Sequence, residues 1–313
     1  MRRVKRRSSD GTPPRVDRPT HTRQDPDSHG PLVLIGGACT PDGEALQSFI
    51  DLARAAGGPI VGITSASENP MQSARLWRAD FRKAGVLDIE FPRVRRASDK
   101  LDRELAARID DAGAVFLGGG NQVKLVAELS GTRAEESLKA LSARGGVVCG
   151  TSAGAAALTA LTMAGGEIDE EGNLVEQYLG PGFGLLDFET IVDTHFSKRR
   201  RLQRLFVVIA GNPELLGLGI DEDTALIVHG HLGEVVGAGG VTFVDGRDSV
   251  RFDNADDVER GRQLTLSHLR VGIVGTHYHL NLHERELEVL VQGEASPHRR
   301  TPRFTASQRG GGS

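Results

Sequence analysis

Short apolar runs alternating with amphipathic stretches constrain the first half of this chain more than any other feature. Leu32–Ile35, Ile60–Ile63, Ala114–Leu117 and the run Val147-Val148-Cys149 are almost continuously apolar, and a weaker run lies at 88–91. Between them, residues 43–56, 71–84, 101–112, 122–128 and 134–143 carry apolar residues at helical spacing. A strand that is apolar on both faces needs cover on both sides. Helices alternating with such strands supply it by wrapping a parallel sheet. From about residue 218 the texture changes to short strands at 225–229, 234–236 and 241–244. These predict an antiparallel extension of the same sheet. The expected fold is therefore a three-layer α/β sandwich with a mostly parallel sheet and an antiparallel C-terminal extension.

The 313 residues suffice for one large domain, placed at 31–295. Residues 1–30 are rich in Arg, Asp, Pro, Ser and Thr and nearly free of apolar side chains, so they read as a disordered basic tail, as do 296–313. The net charge of -4 gives no overall footprint for nucleic acid. Cys39 and Cys149, each closing a predicted buried strand, read as small core residues, and no zinc spacing is present. No metal or cofactor is expected. Arg2, Arg3, Lys5, Arg6 and Arg7 are not followed by an apolar segment, which argues against a secretory signal and for a cytoplasmic protein. The uncharged stretch 145–166 contains glycines, a serine and threonines, which favour a buried strand and helix over a membrane span.

Within that stretch lies Gly150-Thr151-Ser152-Ala153-Gly154, between an apolar strand and a run of small residues. Strand, sharp turn and helix with a serine at the apex describe a nucleophile elbow. The glycines permit the tight turn, and the Ala153 amide at the helix start is aimed where an oxyanion would form. Ligands of open parallel sheets bind outside the carboxyl ends of the strands. At another such end lies Gly118-Gly119-Gly120-Asn121-Gln122. It lacks both the dinucleotide and the Walker phosphate patterns. It reads either as a plain turn or as half an oxyanion hole, with Gly119 or Gly120 pairing with Ala153.

A third such end is Ile191-Val192-Asp193-Thr194-His195. On a strand, Ile191, Asp193 and His195 share a face, and a histidine there is a candidate general base for Ser152. The acid that orients the imidazole is sought first at Glu167, after the Gly165-Gly166 turn, with Asp169, Glu170, Glu171 and Asp193 as alternatives. Asp193 is the less suited, because side chains two apart on a strand project in parallel roughly 6–7 Å apart. It is assigned instead to substrate binding.

Downstream, Ser197 reads as a helix N-cap, and Lys198, Arg199, Arg200, Arg201 and Arg204 fill the first turns. Cations oppose the helix dipole there, and such conflicts gather at functional sites. Arginines that hold a carboxylate-bearing ligand explain the conflict. A solvated face and a nucleic-acid contact are the alternatives.

Together these residues resemble the cyanophycinase and dipeptidase E family of serine peptidases. The glycine loop ending in Gln122, the elbow around Ser152 and Asp193-Thr194-His195-Phe196-Ser197 continuing to Arg199, Arg201, Arg204 and Leu205 match its motifs in order. So does Gly219-Ile220-Asp221-Glu222-Asp223-Thr224-Ala225. The resemblance spans about 31–292 and is closest to cyanophycinases. It implies a glutamine-amidotransferase-like sandwich, a Ser152 nucleophile, a His195 base and an acid after the elbow helix. It also implies a homodimer that hydrolyses cyanophycin, a polyaspartate bearing arginine on each side-chain carboxylate, to β-aspartyl-arginine dipeptides. Gln122 would contact this substrate. Arg199, Arg201 and Arg204 opposite Asp193, Asp221 and Glu222 would complement its mixed charges. The family's glutamine between aspartate and histidine is Thr194 here, a substitution that bears on substrate choice.

Overall fold

The computed structural model describes residues 29–168, 174–186, 189–251 and 266–288. Both predicted tails lie outside the described residues, apart from His29 and Gly30. The chain runs β1 (Leu32–Ile35), α1 (Glu44–Ala56), β2 (Ile60–Ile63), α2 (Pro70–Lys83), β3 (Ile89–Glu90), α3 (Asp99–Asp110), β4 (Ala114–Leu117), α4 (Gln122–Leu129), α5 (Arg133–Ala143), β5 (Val147–Thr151) and α6 (Ala153–Ala156). It continues with β6 (Leu161–Ile168), β7 (Leu174–Pro181), β8 (Thr190–Thr194), α7 (Leu202–Gly211), β9 (Leu216–Ile220), β10 (Thr224–His229), β11 (Leu232–Gly237) and β12 (Val241–Asp245). The last strands are β13 (Val250–Arg251), β14 (Leu266–Ser267), β15 (Arg270–Val274), β16 (His279–Asn281) and β17 (Glu286–Glu288).

The main sheet has the order β17-β16-β11-β10-β1-β5-β4-β2-β3. Its β1-β5-β4-β2-β3 half is parallel, and β10, β11, β16 and β17 extend it antiparallel. The period-2 alternation of side chains explains the three layers. Leu32 and Leu34 of β1 face a core shared with Leu105, Ile109 and Leu138 from α3 and α5. Val33 and Ile35 face the opposite core, with Phe49 and Ile50 of α1 and Phe81 of α2. In that second core Phe116 packs edge-on against Phe81 and Trp77, at 5.0 and 4.7 Å between ring centroids. The expected sandwich with its antiparallel extension is thus present.

Two expectations about the second half change. The strand at 241–244 does not extend the main sheet. As β12 it joins a second sheet of order β15-β12-β9-β8, in which β8 and β9 are parallel and connected through α7. Gly237 at φ +109 lets the chain leave the main sheet after β11, since few other residues take that conformation. The small-residue run after the elbow forms only one turn of helix, Ala153–Ala156, before the chain turns into the β6–β7 ribbon.

Asp245, at the end of β12, staples the two sheets together. It accepts from Arg285, which follows β16 of the main sheet, at 2.7 Å, and from Arg247 and Arg270. Burial pushes its carboxyl upward, but the hydrogen bonds from Arg247 and Arg285 outweigh that and hold it below its ordinary value. A depressed carboxylate contributes stability that is present above its unfolded value, about 3.9, and is lost as pH falls through the folded one. Arg285→Met, which removes one of these partners, should therefore begin to unfold at a higher pH than the unmodified chain in an acid titration followed by circular dichroism. Equal acid midpoints would contradict the staple.

Candidate active site

Ser152 stands at φ 53 and ψ -116, between β5 and α6. A non-glycine residue in that region is strained by about 1–3 kcal/mol. The flanking glycines make the turn possible. A Cβ on Gly150 would lie 2.4 Å from the Gly154 carbonyl, and one on Gly154 would lie 2.2 Å from the Leu117 carbonyl oxygen. Strand and helix therefore meet backbone to backbone, and the serine is lifted off the sheet edge, as the elbow motif requires.

The glycine loop after β4 closes on the same point. Gly118 N donates to Ile63 O at 2.8 Å and Asn121 N to Ala66 O at 2.9 Å, which pins both ends of the loop. Gly119 abuts the elbow, with the position of a Cβ 3.2 Å from Ser152 Cβ and 3.7 Å from its Oγ. Gly120, at φ +140, packs instead on the Ala66 carbonyl. Of the two glycines considered for an oxyanion amide, Gly119 is the one against the serine. Ala153 opens α6, so its N–H has no acceptor within that helix.

The second sheet delivers the other partners. β8 pairs in parallel with β9, with Thr194 opposite Ile220, so the residues just past both strands emerge side by side. Ser152 Oγ lies 2.8 Å from His195 Nε2. His195 Nδ1 lies 2.7 Å from Glu222 Oε1. Both contacts are within hydrogen-bond reach. The loop carrying Glu222 passes from β9 of the second sheet to β10 of the main one. Its neighbours are anchored: Asp221 Oδ1 accepts from Ser197 N at 3.0 Å, and Asp223 Oδ1 accepts from Thr40 N at 3.2 Å. Glu222 is left to face the imidazole.

Several expectations are corrected here. The acid on His195 is Glu222, grouped in the sequence with substrate-binding charges, and not Glu167. Glu167 belongs to β6, where its backbone pairs with Glu176 of β7. Asp169, Glu170 and Glu171 lie outside the described residues. His195 does not continue the strand face of Asp193, because β8 ends at Thr194 and His195 takes φ 52. Ser197 is not a helix cap. Arg200 at φ 52 interrupts the helical path, and α7 starts only at Leu202. The cations at 198–201 therefore occupy a turn ahead of the helix. Cys39 does not close a strand. It lies half-buried in the loop after β1, whereas Cys149 is buried in β5. Burial lifts the Cys39 thiol to about 11, despite a hydrogen bond with Thr151, so it stays protonated beside the site and does not compete as a nucleophile.

The predicted substrate-binding residues divide into two groups. Asp193 is buried and takes up the guanidinium groups of Arg201 and Arg204, with Arg201 Nη1 at 3.0 Å from Oδ1 and Arg204 Nε at 2.6 Å from Oδ2. Burial lowers the pKa of Arg201, and Asp193 works against that shift. Thr194 is buried too, and its carbonyl accepts from Arg201 at 2.7 Å. This cluster is closed on itself, whereas Arg199 is exposed. Gln122 opens α4, capped by Asn121, and its side-chain amide donates to the Met163 carbonyl of β6. Replacing Asp193 by alanine would leave two partly buried guanidinium groups unpaired. Breaking such a pair costs roughly 3–5 kcal/mol, measurable as a lower urea midpoint. An unchanged midpoint would show that the cluster contributes nothing to folding.

Among the described residues no helix is long and apolar enough to cross a membrane, and no group of three potential ligands could hold a metal ion. The model of Peptidase family S51 matches residues 32–236. A cyanophycinase of Synechococcus elongatus is 34% identical over 277 residues, covering 86% of this chain and 84% of the relative. A cyanophycinase of Geminocystis herdmanii is 34% identical over 248 residues, covering 78% and 90%. Among solved structures, a peptidase from an acI-B1 Actinobacterium superimposes with a TM-score of 0.56 at 21% identity, covering 73% of this chain and 99% of that one. That likeness speaks for the fold.

Proposed function

The chain belongs to peptidase family S51 and is a serine-type peptidase; from that premise we propose that it hydrolyses cyanophycin from a chain end to β-aspartyl-arginine dipeptides, through an acyl-enzyme on Ser152. The observation that carries the mechanism is the relay Ser152–His195–Glu222, with contacts of 2.8 and 2.7 Å. The substrate follows from the cyanophycinase relatives, which match over most of the chain.

In the first half-reaction Ser152 Oγ attacks the scissile carbonyl carbon while His195 Nε2 takes the hydroxyl proton. Glu222 accepts from Nδ1–H, which holds the imidazole in the tautomer able to accept at Nε2 and stabilises the imidazolium that forms. The carbonyl oxygen becomes negative, and the amides of Gly119 and Ala153 are assigned to donate to it. Each such donor contributes about 3 kcal/mol in comparable sites. Collapse breaks the carbon–nitrogen bond, and His195 returns its proton to the leaving amine. Water, activated by the same base, then hydrolyses the serine ester and restores the enzyme. Arg199, exposed beside the base, is assigned to a substrate carboxylate. Gln122, at the mouth of the glycine loop, orients the bound chain.

A second reading, hydrolysis of other aspartyl or isoaspartyl peptides, draws on one observation. Asp193 already takes up Arg201 and Arg204, which leaves fewer free cations for a polymer of many carboxylates. Incubation with cyanophycin and, separately, with isoaspartyl dipeptides distinguishes the two by mass spectrometry of the products. Release of β-aspartyl-arginine from the polymer is expected. Clean cleavage of the short peptides with no turnover of the polymer would transfer the function to the second reading.

A further inference from the structure

The end of β1 and the loop after it touch every part of the relay. Ser152 N donates to Ile35 O at 2.9 Å, His195 N to Gly36 O at 2.8 Å, and Asp223 N, next to Glu222, to Gly37 O at 2.9 Å. Gly36 N donates in turn to Thr224 O at 2.9 Å. Two glycines thus tie the serine's strand to the separate sheet that supplies base and acid. Gly37 does more than connect them. Its α-carbon lies under the imidazole: a Cβ built there would be 2.3 Å from Cε1, 2.5 Å from Nε2 and 3.0 Å from Nδ1 of His195. Ordinary contact begins at 3.4 Å. One face of the ring therefore rests on this residue near Cε1 and Nε2, and only a hydrogen fits between.

We infer that Gly37 is a positioning residue, a backbone floor that sets the depth of the His195 imidazole so that Nε2 meets Ser152 while Nδ1 meets Glu222. The inference rests on the serine-peptidase reading of the relay. Ser152 constrains one nitrogen and Glu222 the other, but two hydrogen bonds in the ring plane leave the ring free to tilt and to shift along its normal. A backbone contact against the ring face near Cε1 and Nε2 blocks that motion on the Gly37 side. A methyl at position 37 pushes the ring away by about 1 Å, a displacement of the size that costs on the order of 10²-fold in rate.

Gly37 also has φ +101, so an alanine there strains the backbone in addition to meeting the ring. Gly57, at φ +73 with nothing within 4 Å of its Cβ position, separates the two effects. Gly37→Ala and Gly57→Ala both put an alanine at positive φ, and only the first meets His195. The test is the rate of labelling by a fluorophosphonate, which reports Ser152 reactivity without reference to the natural substrate. Gly37→Ala should label about 10²-fold more slowly than Gly57→Ala at saturating probe, with unchanged probe affinity, and should lose the far-downfield proton resonance of the His195 Nδ1–H. Equal labelling rates and an intact resonance would overturn the inference. Absence of labelling at Ser152 in the unmodified chain would instead overturn the serine reading itself.

Thermal unfolding covers the case in which Gly37→Ala does not fold. In a His195→Gly background the ring is gone, so adding Gly37→Ala should lower the midpoint no more than adding Gly57→Ala does. A larger loss there would mean that Gly37 matters for reasons unconnected with the imidazole.

Discussion

Alanine at position 152 is expected to lower kcat by about 10⁴-fold or more, with little change in fold. The size follows from the role: removing the nucleophile of a serine relay leaves only the contribution of oxyanion donors and binding. The elbow makes the variant a clean one. Ser152 is held at φ 53 by packing between Gly150 and Gly154, and its side chain makes no helix-capping hydrogen bond. Loss of the hydroxyl therefore removes chemistry without removing a structural contact other than that to His195. The check is steady-state hydrolysis alongside thermal unfolding. Activity within tenfold of the unmodified chain would exclude Ser152 as the nucleophile.

Glutamine at position 222 should cost about 10³–10⁴-fold in kcat. Its carboxamide can donate to Nδ1, which places the imidazole proton on Nε2. That nitrogen then donates to Ser152 and no longer accepts from it. A shape-conserving change in one atom thus reverses the hydrogen bond on which the attack depends. Glu167→Gln, placed on the β6–β7 ribbon, should leave activity close to that of the unmodified chain. The pair of variants, assayed side by side, decides which acid serves the base. Loss in Glu167→Gln with activity retained in Glu222→Gln would reverse the assignment.

The contrast between these two acids shows what the sequence could reveal. Ser152 was legible because its cause is local: an apolar strand, two glycines and a small-residue turn lie within about ten residues of one another. The strand–helix alternation was legible for the same reason, since period and composition report each element separately. His195 was found as a histidine at a strand end, although the positive φ that turns it out of β8 leaves no mark in composition. Glu222 stands in the family motif among the charges read as substrate-binding, whereas the structure sets it against His195 Nδ1. Its role depends on the parallel register of β8 and β9 and on a loop that crosses from one sheet to the other, and pairing between strands is not a local property. The arginines show the same limit. Their spacing suggested a cationic helix start aimed at a ligand, whereas Arg200 interrupts that helix and Asp193 claims Arg201 and Arg204. The three consecutive acids just past β9 are the available signal, since one of them emerges beside whatever follows β8.

The proposed mechanism requires relay and substrate to meet in one covalent species. Rapid mixing of the chain with cyanophycin, acid quenching within the first turnover, and proteolysis should yield the peptide containing Ser152 in ester linkage to an arginine-bearing aspartyl carboxyl of the polymer. The same adduct should be absent from Ser152→Ala and should disappear once the polymer is consumed. Release of the dipeptide with no adduct on Ser152 at any quench time, from a chain in which Ser152→Ala remains active, would contradict the acyl-enzyme and the assignment of Ser152 together.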